Sequence, residues 1–297
     1  MLFAITFARI SLISYTPQMS ESEHFKNINK YYEKSKIGYD IALWGSKHFG
    51  FYPKGENISE KKAQILMQEL VAEKLKLSPT DLVLDAGCGQ GVVSTFLAKN
   101  YGCKVEGITV VPFEIEKANN LAKKMNVSEK VNYSLMDYSN TKFSNDSFDC
   151  IYTTETLSHS IDIKKTLKEL YRILKKGGRV AFFEYTLSND DDFSKPEMKI
   201  LKKVAEGSAM IGLQDFRHND FQDIMSESGF TNVNVDNISE NTLPSLARLK
   251  KYLNIPYNLC VKPFGLQKQF PNAAAAVEFC NMAEKDLVRY NIFTATK

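Results

Sequence analysis

The feature that most constrains the fold is residues 82–91, LVLDAGCGQG, where a short apolar run ends in an acid and three glycines at alternate positions. A short apolar run is typical of a buried strand, and a helical pattern begins directly after the glycines. Glycine adopts backbone conformations closed to other residues and lets a ligand approach the main chain closely. The pattern therefore predicts a strand that ends at a nucleotide-sized ligand, with a helix N-terminus beside it.

Two other glycine patterns that bind nucleotides are not matched by this stretch. Its spacing, D-x-G-x-G-x-G, differs from the dinucleotide fingerprint G-x-G-x-x-G, and it lacks the Gly-Lys-Ser/Thr of a P-loop. A dinucleotide enzyme also places an acid about 20 residues beyond its glycines to hold ribose hydroxyls. The second predicted strand ends in Thr109 instead, which disfavours an NAD-dependent oxidoreductase.

The rest of the chain alternates predicted strands with predicted helices. Beyond the first strand, strands are expected at residues 104–109, 131–135, 148–153, 179–185, 231–238 and 290–296. Helices are expected at 59–75, 92–100, 112–125, 163–174 and 216–229. This alternation predicts an α/β fold: a Rossmann-like, seven-stranded, mostly parallel sheet with helices on both faces. Because ligands bind at the carboxyl ends of such strands, acids and histidines there are candidate site residues.

The chain divides into three predicted parts. Residues 1–19 are expected to be a disordered leader, since they are too short to span a bilayer and fit a signal peptide poorly. Residues 20–78 are expected to form an aromatic-rich helical lid, and 79–297 the ligand-binding domain. Within that domain the segments at about 186–215 and 239–286 are too long for simple connections, and we expect them to cap the substrate.

Composition argues against several classes of partner. The 297 residues include 38 Lys and Arg against 35 Asp and Glu, so no nucleic-acid partner is expected. Five cysteines without C-x-x-C spacing predict neither a disulfide framework nor a zinc site, and no metal is expected. We expect a cytoplasmic protein, and a peripheral contact with a membrane is compatible with the sequence. The sequence does not determine the oligomeric state.

The glycine stretch resembles motif I of the class I S-adenosylmethionine (SAM) methyltransferases, and other segments strengthen this resemblance. Residues 107–112, GITVVP, are similar to the G-I-T-L-S-P segment of sterol, tocopherol and some natural-product methyltransferases. Residues 48–52, HFGFY, resemble a segment that precedes the domain in the same enzymes. Two positions depart from the pattern: Val111 replaces the common serine and Glu114 the usual glutamine. By motif the resemblance covers roughly residues 31–185, and it implies SAM as the cofactor.

The resemblance also implies which residues contact that cofactor. Asp85 is expected to anchor the glycine loop, and Thr109 with its neighbour to contact the ribose. Asp137 is expected to accept a hydrogen bond from the adenine amine while Tyr138 covers the ring. The full predicted set is Asp85, Gly87, Cys88, Gly89, Gly91, Thr109, Val110, Asp137, Tyr138 and Thr154.

Candidate catalytic residues follow the fourth and fifth strands. Residues 153–159, TTETLSH, resemble the E-x-x-x-H segment of the family. His159 is the predicted general base, because imidazole titrates near neutrality. Glu184, at the end of the next strand, is predicted to orient that imidazole. The acceptor is predicted to contact Tyr39, Trp44, His48, Phe49 and Tyr185.

These features predict an enzyme that transfers a methyl group from SAM to a small, mostly lipophilic acceptor of the sterol, terpenoid or prenylquinone kind. The prediction depends on the G-I-T segment, the aromatic lid and the two apolar inserts. Two alternatives stay open: an O- or N-methyltransferase of a polar metabolite, and a SAM-binding protein without activity. If the acceptor is an alkene, methylation creates a carbocation, which the ring faces of Tyr152 and Tyr185 would stabilise.

Overall fold

A seven-stranded sheet forms the centre of the protein in a computed structural model that describes residues 20–42 and 46–297, without the side chains of 37–42. The strand order is β3-β2-β1-β4-β5-β7-β6, and β7 is antiparallel to both neighbours while β1 to β5 are parallel. The predicted seven-stranded, mostly parallel sheet is therefore confirmed. The strands are β1 (Leu82–Ala86), β2 (Lys104–Thr109), β3 (Val131–Leu135), β4 (Phe148–Thr154), β5 (Leu174–Leu187), β6 (Thr231–Asn237) and β7 (Val288–Thr296).

Helices cover both faces of the sheet and its carboxyl end. They are α1 (Glu21–Ala42), α2 (Glu60–Leu75), α3 (Val92–Tyr101), α4 (Pro112–Lys124), α5 (Ile163–Ile173), α6 (Lys195–Gly207), α7 (Phe221–Glu227), α8 (Ser239–Pro256) and α9 (Pro271–Ala283). Local chemistry sets several of their starts. The side chain of Ser59 accepts a hydrogen bond from the Lys62 amide at the start of α2, and Pro112 occupies the first turn of α4. Among the described residues, none of these helices is long and apolar enough to cross a membrane.

Successive residues of the central strands point into two separate hydrophobic cores. Val83 and Tyr152 pack with α2, α3 and α4 on one face, while Leu84 and Ile151 pack with α5 and α7 on the other. All four side chains are fully buried. This burial on both sides explains why β1 and β4 read as continuous apolar runs.

Several predicted boundaries were wrong by one to five residues, and two of these errors have a clear physical reason. The helix predicted to run to residue 174 ends at Ile173, because the buried Leu174 instead pairs with Phe148 and begins β5. The helix predicted from residue 216 begins only at Phe221. The backbone of residues 216–218 forms hydrogen bonds with the end of β5 instead of a helix. The amide of Leu187 donates to the carbonyl of Phe216, and the amide of His218 donates to the carbonyl of Leu187.

The two long inserts contribute α6, α8 and α9, which pack together beside the sheet. Their shared core includes Leu201, Val204 and Val277. Helix α1 joins them, since the Tyr31 hydroxyl donates to Asn272 Oδ1 at 2.6 Å. The lid and the inserts therefore meet over the carboxyl ends of the strands, where the sequence places its candidate site.

Candidate active site

A cavity of about 1580 Å³ lies at the carboxyl ends of β1, β2, β4 and β5. A pocket for one drug-sized ligand usually measures about 300–1,000 Å³, so this cavity has room for a cofactor and an acceptor together. The predicted site residues that line it are Gly87, Cys88, Gly89, Thr109, Val110, Asp137, Tyr138, Thr154, His159, His48, Phe49 and Tyr185. Asp85, Gly91 and Glu184 lie behind its wall. The side chain of Tyr39 and the whole of Trp44 fall outside the described residues.

The glycine loop forms an open cradle at one end of the cavity. Gly87 has a φ of +105°, and a Cβ there would lie 2.4 Å from Thr156 Oγ1. At Gly89, with a φ of +50°, the nearest atom to such a Cβ is Lys47 Cδ at 3.7 Å. The loop is therefore packed tightly against Thr156 at Gly87, and it has free space beside Gly89. This shape fits a ligand that approaches the backbone closely.

Asp85 fixes this loop from below. Its carboxylate accepts a hydrogen bond from the Tyr152 hydroxyl at 2.6 Å and is also bonded by the amide and hydroxyl of Ser94. Burial raises the pKa of Asp85 to about 7 despite these bonds. The side chain thus ties β1 to β4 and to the first turn of α3, which holds the glycines between them.

An acid does stand at the end of β2, although it comes from the next helix. The Thr109 hydroxyl donates to Glu114 Oε2 at 2.8 Å, and the ammonium of Lys47 pairs with the other carboxylate oxygen. Glu114 is 2% exposed and lines the cavity. It follows Gly91 by roughly the 20-residue spacing of ribose-binding acids. That spacing could have identified it from the sequence, where we noted it only as a departure from glutamine.

The side chains after β3 stand on the same wall of the cavity. Asp137 accepts hydrogen bonds from the amide and hydroxyl of Ser139 at 2.8 and 2.5 Å. Its two oxygens retain further lone pairs for a ligand amine. The Tyr138 hydroxyl donates to the Thr156 carbonyl at 3.0 Å, so the ring is fixed against the loop that follows β4. These positions fit the expected adenine contacts.

His159 is held as a neutral, fully bonded imidazole. Its Nδ1 lies 3.0 Å from the Ala209 carbonyl, which can only accept, so Nδ1 carries the proton. Nε2 is then the acceptor for the Tyr32 hydroxyl at 2.9 Å. Burial lowers the pKa of His159 to about 4. The ring therefore presents no spare basic nitrogen to the cavity while α1 is in this position.

Glu184 forms no hydrogen bond with His159, so the predicted orienting pair is absent from the described structure. Glu184 Oε1 accepts hydrogen bonds from the Thr153 hydroxyl and from the amides of Thr156 and Leu157, at 3.1, 3.1 and 2.9 Å. Its Oε2 has no hydrogen-bond partner among the described residues, and burial raises its pKa to about 8. The side chain is a neutral acid that holds the turn after β4, because that turn leaves two amides without other partners.

This assignment predicts a specific pH dependence of stability. The pKa of Glu184 is raised from 4.5 to about 8, so the folded protein keeps a proton that the unfolded chain releases in this interval. The free energy of unfolding should therefore fall as the pH rises, by up to about 1.4 kcal/mol per pH unit. Glu184→Gln keeps the acceptor oxygen and cannot ionise. Denaturant titrations from about pH 5 to pH 8 measure how steeply the free energy of unfolding falls with pH. We expect a shallower fall for Glu184→Gln and the same fall as in the parent for Glu240→Gln, which changes an exposed side chain. An equal slope in Glu184→Gln would contradict the assignment.

Glu155, one residue beyond β4, is a further carboxylate that lines the cavity. Its Oε1 accepts hydrogen bonds from the Phe49 amide and the Tyr290 hydroxyl, both at 3.0 Å, and Oε2 accepts from the Tyr185 hydroxyl. Its φ of +56° is unusual for a non-glycine residue. Burial raises its pKa to about 7. In the sequence Glu155 appeared only as the first letter of E-x-x-x-H, and its position at a strand end was the signal that could have singled it out.

Aromatic rings surround this carboxylate on the side away from the glycine loop. The centroids of Phe49 and Tyr185 are 6.1 Å apart and those of Tyr185 and Tyr290 5.2 Å apart, both pairs edge to face. Apolar side chains from the inserts extend this wall: Leu246, Leu249 and Phe279. The cavity thus has a polar end at the glycines and an apolar end at the inserts, with Glu155 between them.

Comparisons with known proteins agree with this arrangement. Residues 84–182 match the family described as a methyltransferase domain. A SAM-dependent Diels-Alderase of Talaromyces variabilis is 29% identical over 265 residues, covering 86% of this chain and 90% of that protein. The sterol 24-C-methyltransferase of Saccharomyces cerevisiae is 30% identical over 193 residues, covering 62% of this chain and 50% of that enzyme. The chain thus spans about half the length of this sterol enzyme.

A solved structure shows the same fold. The cyclopropane synthase MmaA2 of Mycobacterium tuberculosis superposes with a TM-score of 0.78 at 17% sequence identity, covering 92% of this chain and 98% of that one. Fold and site thus define a class I, Rossmann-like methyltransferase domain. Residues 84–182 match a methyltransferase domain, which supports the predicted enzyme class, and the chain is similar to SAM-dependent methyltransferases. The predicted cofactor, SAM, is confirmed.

Proposed function

We propose that this protein methylates a small lipophilic acceptor whose reacting carbon lies beside Glu155. The observation that carries the proposal is the position of this carboxylate, between the glycine cradle and an apolar, aromatic wall. Sterol 24-C-methyltransferases are among the similar proteins, which is consistent with an acceptor of the sterol, terpenoid or prenylquinone kind. The reaction would then join the methyl group to carbon.

Charge at the cavity also favours an apolar acceptor. Its two most buried cations are already paired: Lys47 with Glu114, and Arg248 with Glu60, whose Nε and Oε2 atoms lie 3.0 Å apart. A buried cation that is neutralised by its own acid contributes little attraction for a phosphate or carboxylate on the acceptor. An anionic group on the acceptor would therefore find little attraction from these two cations.

The chain's own residues would hold SAM at the cradle. Gly87 and Gly89 give the backbone close access, Glu114 is placed to accept from ribose hydroxyls, and Asp137 from the adenine amine. When bound, SAM supplies an electrophilic methyl group. The protein supplies alignment, and effective molarities of about 10⁵ M or more correspond to roughly 7 kcal/mol of the barrier.

Glu155 would act on the acceptor in two ways. Its carboxylate stabilises the positive charge that forms on an alkene carbon as the neighbouring carbon is methylated. It then accepts the proton lost from an adjacent carbon, which restores an alkene. The hydroxyls of Tyr185 and Tyr290 hold the carboxylate in place, and the ring face of Tyr185, which lines the cavity, would add about 0.5–2 kcal/mol of cation–π stabilisation.

In this mechanism His159 and Glu184 have supporting roles. The bond from the Tyr32 hydroxyl to His159 attaches helix α1 to the loop after β4. His24 on the same helix strengthens the attachment, because its Nε2 lies 2.7 Å from the His159 carbonyl oxygen. Glu184 holds the same loop from behind. We therefore assign the base to Glu155 and the closure of the site to His159.

A substitution at Glu114 tests the cofactor end of this proposal. Glu114→Gln removes the charge opposite Lys47 and weakens the acceptor that the ribose hydroxyls would meet. We expect S-adenosylhomocysteine (SAH) to bind about 5- to 10-fold more weakly by calorimetry, the effect of one hydrogen bond of about 1 kcal/mol. The matched control is Glu116→Gln on the exposed face of the same helix. Equal affinities for both variants would remove Glu114 from the cofactor site.

The acceptor class can be decided by labelling. Purified protein is incubated with SAM carrying a radioactive methyl group, together with either a lipid extract or a polar metabolite extract. We expect label in the organic phase of the lipid reaction. Label confined to the polar reaction would favour the O- or N-methyltransferase alternative, and SAH binding without any transfer would favour a protein without activity.

A second candidate function is a SAM-dependent cyclisation without methyl transfer. It is favoured by the relative that this chain matches over 90% of its length, a SAM-dependent Diels-Alderase. A cyclase would leave the mass of its substrate unchanged and would need no turnover of SAM. Mass spectrometry of the reacted extract separates the two functions, because a methylated product is heavier than its precursor and appears only with SAM, not with SAH.

A further inference from the structure

Exposed apolar side chains are concentrated at one end of the cap formed by the second insert. Six large apolar side chains are strongly exposed in the described ranges, and five of them lie between residues 252 and 270. We call these five the cap-tip surface: Tyr252, Ile255, Leu259, Phe264 and Phe270, which are 68%, 69%, 67%, 72% and 53% exposed. The sixth, Leu135, lies at the end of β3, on a different part of the sheet. A cluster of exposed apolar side chains usually marks an interaction site, whereas single exposed apolar side chains are normal on a protein surface.

The cap-tip surface belongs to an ordered element. Tyr252, Ile255 and Leu259 lie three and four residues apart along α8 and the helical turn that continues it, so they share one face. The opposite side is anchored, since Tyr257 is fully buried and its hydroxyl donates to Glu278 Oε1 at 2.7 Å. The apolar residues are thus presented outward by a firmly packed base.

The sequence around these residues carries charge of one sign, although in the folded protein most of its cations form ion pairs with acids from other segments. From Asn241 to Val277 the sequence has five cations and no Asp or Glu. Lys251 is exposed, and the side chains of Lys262 and Lys268 are 49% and 58% exposed, although each also pairs with an acid outside this segment. Exposed apolar side chains flanked by lysines are the combination that binds the surface of an anionic bilayer.

The cap-tip surface is continuous with the cavity. Tyr252 and Phe270 line the cavity while more than half of each side chain is exposed, so they stand at its mouth. An apolar molecule that entered between them would pass from the cap-tip surface to the wall of Leu249 and Phe279.

We propose that the cap-tip surface docks on an anionic lipid bilayer and that the acceptor enters the cavity from there. The docking itself depends only on the exposed residues; the route of the acceptor rests on the proposed lipophilic substrate. A second copy of the chain is a poorer occupant. A two-fold contact would bring the lysines of this surface, Lys251, Lys262 and Lys268, near the lysines of the second copy, and like charges in apposition oppose association.

The test uses full-length protein and sedimentation with vesicles of phosphatidylcholine, with or without about 30% phosphatidylglycerol, in the absence of SAM and acceptor. We expect the protein to pellet with the anionic vesicles. The triple variant Ile255→Ser, Leu259→Ser and Phe264→Ser should bind them at least about 10-fold more weakly, since it removes three apolar side chains from the contact. The matched control is Leu135→Ser, which removes an equally exposed side chain elsewhere and should bind like the parent. SAH affinity and thermal melting of the triple variant should equal those of the parent.

Several results would overturn the proposal: no sedimentation of the parent, equal sedimentation of the triple variant, or an equal loss in Leu135→Ser. A concentration-dependent dimer that the triple variant abolishes, without vesicle binding, would assign the surface to a second copy. These outcomes are independent of the proposed function, because vesicle binding needs no turnover. Methylation of a detergent-dispersed lipid extract should be equal in parent and triple variant, so its loss in both would instead count against the lipophilic substrate.

Discussion

Replacing Glu155 with glutamine is expected to lower kcat by about 10²- to 10⁴-fold, the usual contribution of a general base. The amide is nearly isosteric with the carboxylate, but it can neither accept a proton nor stabilise a cation. SAH affinity should be unchanged, because the cradle and the predicted ribose and adenine contacts lie on other strands. Calorimetry with SAH and initial rates with a saturating lipid acceptor measure the two quantities separately.

The pH profile distinguishes a base from a merely structural residue. The pKa of Glu155 is about 7 and activity needs the deprotonated form, so the rate should rise with pH through this value. Tyr185→Phe removes a hydrogen bond that lowers the pKa of Glu155, so the rising limb should move to higher pH. The control is Glu184→Gln, for which the rate should rise over the same pH range as in the parent. Full activity of Glu155→Gln, or an unmoved limb in Tyr185→Phe, would contradict the role of Glu155.

Replacing Gly87 with alanine is expected to weaken SAH binding by about 10- to 100-fold. The new Cβ would lie 2.4 to 2.8 Å from three side-chain atoms of Thr156, and the φ of +105° is strained for any residue with a Cβ. Strain of this kind costs about 1–3 kcal/mol, and the loop would shift out of the cradle to relieve it. Calorimetry with SAH measures the loss.

Two further variants show whether the close contact is the cause. Gly55 also has a positive φ, +83°, but a Cβ there has nothing within 4 Å, so Gly55→Ala should bind SAH normally. Adding Thr156→Ala to Gly87→Ala removes the two closest clashing atoms, Oγ1 and Cγ2, and leaves the Cβ of residue 156 and the backbone strain, so part of the affinity should return. Parent-like affinity in Gly87→Ala would mean that the loop is not the cofactor site.

The sequence predicted the features of the fold and the site that depend on repeating patterns of residues. Alternating apolar runs and helical stripes predict the sheet, because burial on both faces leaves few other arrangements for such segments. The glycines also identify the binding end, because few residues adopt a φ of +105°. These signals are local, and they depend little on the rest of the chain.

The chemistry of individual side chains depended on contacts that no pattern shows. His159 and Glu184 lie at the expected strand ends. However, both nitrogens of the imidazole are hydrogen-bonded, to Tyr32 and Ala209, and the Glu184 carboxyl group accepts hydrogen bonds from two loop amides. Each of these partners lies at least 27 residues away along the sequence. The same holds for Glu155, whose donors come from the lid, from β5 and from β7.

The most direct test of the central claim is mass spectrometry of the product formed from SAM with a trideuterated methyl group. Parent protein and Glu155→Gln are each incubated with this SAM and a lipid extract. We expect an organic-phase product that retains all the deuterium of the methyl group, because the proton that Glu155 accepts comes from the acceptor, and little such product from the variant. A product that has lost methyl deuterium, or no labelled lipid from a parent protein that binds SAH, would contradict this claim.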